Sequence, residues 1–139
     1  MMIRLKEILM CFALGAVAYG LIEIAFRGYT HWTMPLTAGC VLILFYIINL
    51  SKGISIWLRC LIGAFVITSF ELGVGLIVNV RLGWQVWDYS DKAFNFMGQI
   101  CPKFFGAWFG LSLPAFALCD FVSTNISKSG LIRRKQYKT

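Results

Sequence analysis

Two of the six acidic residues of this chain sit inside apolar runs long enough to cross a bilayer: Glu23 within Ile8 to Phe26, and Glu71 within Trp57 to Val80. A membrane-crossing helix needs about 20 predominantly apolar residues. A charged side chain in hydrocarbon costs roughly 2.5–3.5 kcal/mol on insertion scales, so it faces protein or a water-filled cavity and marks a polar site. This pattern restricts the chain to a membrane protein with a polar interior.

Composition agrees. The chain is 59% hydrophobic and only 14% charged, with mean hydropathy +0.75, against about 25% charged residues in soluble domains. Its 139 residues predict a single transmembrane domain, 1–139, with no separate soluble catalytic module. The net charge of +7 is concentrated in Arg133, Arg134, Lys135 and Lys138, directly after an apolar segment, where anionic headgroups would be met. No basic amphipathic face or aromatic platform accompanies it, so no nucleic acid is expected. Five cysteines (Cys11, Cys40, Cys60, Cys101, Cys119) are scattered singly and read as small hydrophobes. With one histidine, His31, no metal cluster is visible and no cofactor is expected.

Four apolar segments emerge, at about 8–26, 32–50, 57–80 and 104–122. None alternates with period 2, so they predict an all-α polytopic membrane protein, a four-transmembrane-helix bundle. Arg4, Lys6 and the Ala16-Val17-Ala18 triplet imitate a signal peptide, but the apolar run continues to Phe26, which favours an uncleaved span. Arg4, Lys6, Lys52, Arg59, Lys128, Arg133, Arg134, Lys135 and Lys138 fall on one side; Arg27, Arg81, Lys92 and Lys103 fall on the other. That bias predicts a multi-pass protein of the cell membrane, with both termini and a basic tail, 123–139, in the cytoplasm. Gly106-x-x-x-Gly110 and Ala16-x-x-x-Gly20 suit close helix approach, either within the bundle or across a homodimer, and Pro114 predicts a kink in the fourth helix. Gly15 to Glu23 and Gly63 to Glu71 share a spacing of eight, a weak sign of a parallel internal repeat.

Helical spacing groups the polar residues. Tyr19, Glu23 and Arg27 form one stripe, with Glu23 and Arg27 in the favoured order for an i, i+4 ion pair. Thr68, Glu71, Gly75 and Asn79 share a face of the third helix, and Glu71 lies about 15 Å of helix from Arg81. The loop from Arg81 to Lys103 is long for so small a bundle. Trp84, Trp87 and Tyr89 suit an interfacial belt. Asp88 and Ser90 are candidate N-caps for a short interfacial helix starting near Asp91 and stopping at Gly98, with Pro102 opening the fourth span. Phe94, Phe96 and Met97 would give that helix an apolar surface, lying on the membrane or folding back as a lid. Simple ion pairs, Glu23 with Arg27 and Asp88 with Arg81 or Lys92, would equally account for several of these charges, and Glu71 could be a hydrogen-bonded acid joining helices.

Glu71-x-x-x-Gly75 and Arg81, then Trp87-Asp88-Tyr89-Ser90, Asn95-x-x-Gly98-x-Ile100-Cys101 and Trp108, resemble the small bacterial membrane family described as "putative ABC-transporter type IV" permeases. The resemblance runs from Phe70 to Phe109. In the first half Gly20-x-x-Glu23 matches loosely, and Arg27-Gly28 and Met34-Pro35 only echo the family's Asn-Arg-Gly and Gly-Pro pattern. The resemblance implies a permease. The chain carries no Walker A motif, so an ATP-driven role would need a partner ATPase subunit.

Together these readings predict a small non-enzymatic permease in the lipid bilayer. An outward-facing pocket around Glu23, Arg27, Glu71, Asn79, Arg81, Trp87, Asp88, Tyr89, Ser90 and Asn95 would bind an ion or small solute or amphiphile. Four helices barely enclose a pathway, so a homodimer or a partner membrane subunit is expected. The alternatives are a membrane-embedded enzyme acting on lipid-linked substrates and a non-transporting assembly or regulatory subunit.

Overall fold

A computed structural model describes residues 5–51 and 53–136, with side chains described to residue 126. Four helices account for most of it: α1 (Leu5–Arg27), α2 (Thr33–Asn49), α3 (Ile56–Gly75) and α4 (Pro102–Gln136). A π-helical turn, Leu76–Arg81, continues α3. Among the described residues there is no β-strand, only an isolated bridge between Phe96 and Ile100. Leu5–Arg27, Ile56–Arg81 and Pro102–Ile126 are each long and apolar enough to cross a membrane. The second helix is shorter, 17 residues or about 25 Å at 1.5 Å per residue. Residues 123–136 of the expected basic tail are helical and continue α4 to Gln136. The side chains of Lys128, Arg133, Arg134, Lys135 and Lys138, and all of Arg4 and Lys52, lie outside the described residues.

The chain divides into two compact units: residues 1–51 with 115–139, and residues 52–114. The division falls at Pro114, inside α4, where proline removes one backbone hydrogen bond.

In the first unit α1 and α2 pack through small residues. A Cβ added at Gly15 would lie 2.7 Å from the Ala38 carbonyl oxygen and 2.8 Å from Leu42 Cβ, and one at Gly39 would lie 2.6 Å from the Phe12 ring. Without an aqueous driving force between spans, such close approach is what holds membrane helices together. Gly28, at φ +80°, ends α1 with its N–H on the Ile24 carbonyl at 2.8 Å, the left-handed C-terminal cap that only glycine adopts freely. Phe45 stacks on Phe116 at 4.6 Å, and Tyr46, Cys11, Cys119 and Val122 complete this core.

In the second unit Cys60, Ala64, Val78, Val86, Trp87, Cys101 and Trp108 are buried. Trp57 stacks on Phe109, and Phe65 meets Phe105 edge-on at 5.0 Å. Gly106 and Gly110, expected at a packing seam, are exposed, with no atom within 4 Å of an added Cβ. No contact of the described structure uses that seam.

The expected short helix after Asp91 is not formed. Residues 82–101 are turns, closed by backbone bonds such as Lys92 N–H to the Tyr89 carbonyl at 2.9 Å and Gln99 N–H to the Phe96 carbonyl at 3.0 Å. The reason is local. Phe94 and Met97 have φ of +55° and +53°, which a right-handed helix cannot accommodate. Asn95 meanwhile captures backbone groups that a helix would have used: its Nδ2 donates to the Ser90 and Lys92 carbonyls, and its Oδ1 accepts from Gly98 N–H.

Candidate functional site

Glu71 is the best-defined polar centre of the second unit. It sits four residues before Gly75 at the end of α3 and is only 5% exposed. Both carboxylate oxygens are used. The Tyr89 hydroxyl donates to Oε1 at 2.9 Å, and the Trp108 indole N–H donates to Oε2 at 2.7 Å. One donor comes from the 82–101 loop and the other from α4, so a single side chain ties both to α3. The donors are themselves fixed by rings. Tyr89 stacks on Phe104 at 4.4 Å, and Phe104 leans on Trp108 at 5.9 Å. The partners of this buried carboxylate are thus two neutral aromatic donors.

Gly75, one turn on, admits the loop. A Cβ there would lie 2.4 Å from Gln99 Oε1 and 3.0 Å from the Trp87 ring. Beyond it the π-helical turn brings Asn79 over the same loop. Asn79 Oδ1 accepts from Val86 N–H at 2.7 Å, and its Nδ2 donates to Gln99 Oε1 at 2.9 Å. Gln99 is buried and donates to the Met97 carbonyl, and its own carbonyl accepts the Trp87 indole N–H at 3.1 Å. π-Turns inside helices are frequent at functional sites because they redirect side chains. The widened turn here takes up the angular drift that an α-helix accumulates at i, i+4, i+8, and so keeps Asn79 near the face of Glu71 and Gly75.

Farther along the loop, Asp88 caps a turn rather than a helix. Its Oδ1 accepts from Ser90 Oγ at 2.5 Å and Ser90 N–H at 2.8 Å, an Asx-turn. The Ser90 hydroxyl, with the N–H in support, holds the Asp88 carboxyl below the usual carboxylate range. Gly98, at φ +69°, lets this turn close, since a Cβ would lie 2.6 Å from Ser90 Oγ. Lys92 pairs with Asp91, whose carboxyl it likewise holds low. Asp88 therefore pairs with Ser90, and among the described ion pairs none joins it to Arg81 or Lys92. Arg81 is exposed at the end of the π-helical turn.

Glu23 and Arg27 belong to the first unit. Arg27 Nη1 donates to Glu23 Oε1 at 2.8 Å, and Thr30 Oγ1 donates to Glu23 Oε2. Arg27 Nη2 donates to the Tyr29 hydroxyl at 2.9 Å, and the guanidinium lies 4.7 Å from that ring's centre. His31 Nδ1 bonds Thr33 Oγ1 at 2.8 Å. This acid, buried and fully engaged, locks the α1–α2 connection. Of the ten candidate residues, these two lie in one unit and the other eight in the second.

Four polar residues escaped the candidate set. Trp108 and Gln99 complete the Glu71 and Asn79 networks, and Thr30 completes that of Glu23. Glu7 is 4% exposed near the start of α1, just outside the apolar run as read from the sequence.

Comparison with known proteins places the chain. No curated protein and no solved structure matches it significantly. The family model described as "Putative ABC-transporter type IV" matches residues 33–135, which covers α2, α3, the 82–101 loop and α4 but not Glu23 or Arg27. The chain belongs to the putative ABC-transporter type IV family of membrane proteins.

Proposed function

We propose that the protein is a small permease, or a permease subunit, whose working centre is Glu71. The observation that carries this reading is a carboxylate buried in a membrane-spanning helix, with neutral donors on both oxygens. Such a group can take up a proton, which neutralises it, or pair its negative charge with a cation, and intramembrane acids of this kind mark ion and solute paths. Asn79, Trp87, Tyr89 and Gln99 would shape the site; Asp88, Ser90 and Asn95 would hold the loop over it. Arg81, at the end of the π-helical turn, would meet an anionic moiety of the solute. The Lys/Arg bias supports a cell-membrane protein with both termini in the cytoplasm. The reading calls for a homodimer or a partner subunit, because four helices scarcely enclose a path, and an ATP-driven role would require a separate nucleotide-binding subunit.

One observation favours a second reading. Glu71 joins α3, the loop and α4, as a purely structural acid in a non-transporting assembly subunit would. Flux in proteoliposomes, measured with and without candidate partners, separates the two. A permease gives flux that Glu71→Gln abolishes. An assembly subunit gives none alone and supports its partner equally well with either residue at position 71.

A further inference from the structure

The 82–101 loop carries an apolar tip that the Glu71 network does not use. Phe94 is 91% exposed, and Phe96 and Met97 are each 55% exposed. Loops normally bury or omit such residues, yet here two of the three are held at positive φ, +55° for Phe94 and +53° for Met97, a conformation unfavourable for bulky side chains. The display is built. Asn95, between the two phenylalanines, makes hydrogen bonds to Ser90, Lys92 and Gly98 that fix the backbone and turn the rings outward. The charges near the tip are satisfied within the loop, Lys92 by Asp91 and Asp88 by Ser90.

The height of the tip is set by its attachments. Phe96 N–H bonds the Ile100 carbonyl at 2.9 Å, two residues before α4 begins. Gln99 is held by Asn79 in the π-helical turn that ends the preceding span. Both attachments are helix ends that meet the membrane surface, and exposed Trp84, just after the same turn, is of the residue type that lines that level.

We infer that Phe94, Phe96 and Met97 form an apolar anchor seated in the lipid leaflet at the membrane face where α3 ends and α4 begins. The occupant of this surface is lipid, at the boundary of headgroups and acyl chains. With Lys92 paired to Asp91 and the Asp88 carboxylate hydrogen-bonded to Ser90, the cation nearest the tip is already matched within the loop, so insertion is driven by apolar burial and does not depend on anionic lipid. The anchor also steadies Tyr89, whose N–H bonds the Gly98 carbonyl at 2.8 Å and whose hydroxyl reaches Glu71. This inference needs only that α3 and α4 span the membrane, and so stands apart from the transport reading.

The test is a nitroxide at position 94 in the full chain, reconstituted in phosphatidylcholine nanodiscs. Phe94→Cys supplies the attachment point, with exposed Cys40 replaced by serine. Because Phe94 packs against almost nothing, the label leaves the fold intact; a second label at Met97→Cys checks that. The expected result at both positions is high accessibility to oxygen and low accessibility to a water-soluble nickel chelate, unchanged when anionic lipid or 0.5 M salt is added. High nickel accessibility would place the tip in water and overturn the inference. Low accessibility to both would mean a protein covers the tip, a second copy or another partner, and would overturn it equally.

Discussion

Replacing Glu71 with glutamine tests whether its charge serves the fold. The carboxylate accepts the Trp108 indole N–H at 2.7 Å and the Tyr89 hydroxyl at 2.9 Å. A glutamine can present its carbonyl oxygen to Trp108 and its amide to Tyr89, because a tyrosine hydroxyl can turn from donor to acceptor. Both bonds survive but lose their charge assistance, a loss of about 1 kcal/mol each. Burying an ionised carboxylate carries a penalty of several kcal/mol, and that penalty disappears with the charge. The net expectation for Glu71→Gln is unchanged or increased stability. Glu71→Ala instead strands two donors, at about 1–3 kcal/mol apiece, so a loss of about 2–6 kcal/mol is expected. Reversible unfolding in mixed detergent micelles measures both. If glutamine were as damaging as alanine, the negative charge itself would be structural, and the reasoning that frees it for function would fail.

Other perturbations bear on the supporting parts. A double-mutant cycle of Glu23→Ala and Arg27→Ala should show coupling of about 0.5–1 kcal/mol, as suits an ion pair whose carboxylate is buried but whose arginine still reaches solvent; additive effects would remove the lock on α1. Gly75→Ala should cost about 1–3 kcal/mol by overpacking, seen as loss of thermal stability, because its Cβ would strike Gln99 and Trp87; a stabilised variant would contradict that geometry. Asp88→Ala should speed hydrogen exchange across residues 89–98. The low pKa of Asp88 means its contribution is complete above the ordinary carboxylate value of about 3.9 and is lost as pH falls through the lower folded value. Wild-type loop protection should therefore hold at neutral pH and decline only in strong acid; a decline centred near pH 6 would point to another group.

Much of this architecture was legible in the sequence because bilayer thickness fixes helix length and hydrocarbon penalises charge. The apolar helices were read to within a few residues at most of their ends, and Glu71 stood out for the same reason. The Trp87-Asp88-Tyr89-Ser90 segment with Asn95 and Gly98 marked the family, which the match over residues 33–135 establishes. The loop conformation was misread. Asp88, Ser90 and Gly98 are as suitable for capping turns as for capping a helix, and only the positive φ of Phe94 and Met97 decides between them. Local propensity does not encode that choice, which the bonds of Asn95 impose. Gln99 and Trp108 escaped the candidate set because a neutral polar side chain betrays its burial only through partners distant in sequence. Trp108 lies 37 residues from the carboxylate it meets.

The central claim is that the Glu71 carboxylate changes its ligand in function rather than serving as fixed glue. Trp108 reports on it directly, since its indole N–H rests on Oε2. The measurement is the tryptophan fluorescence of the protein in nanodiscs, titrated with protons and with a series of small cations, with Trp108→Phe as the reference for the remaining tryptophans. The account predicts a saturable Trp108 signal in the wild type that is absent in a folded Glu71→Gln variant. A Trp108 signal that is flat throughout in the wild type, or equally strong in Glu71→Gln, would contradict it.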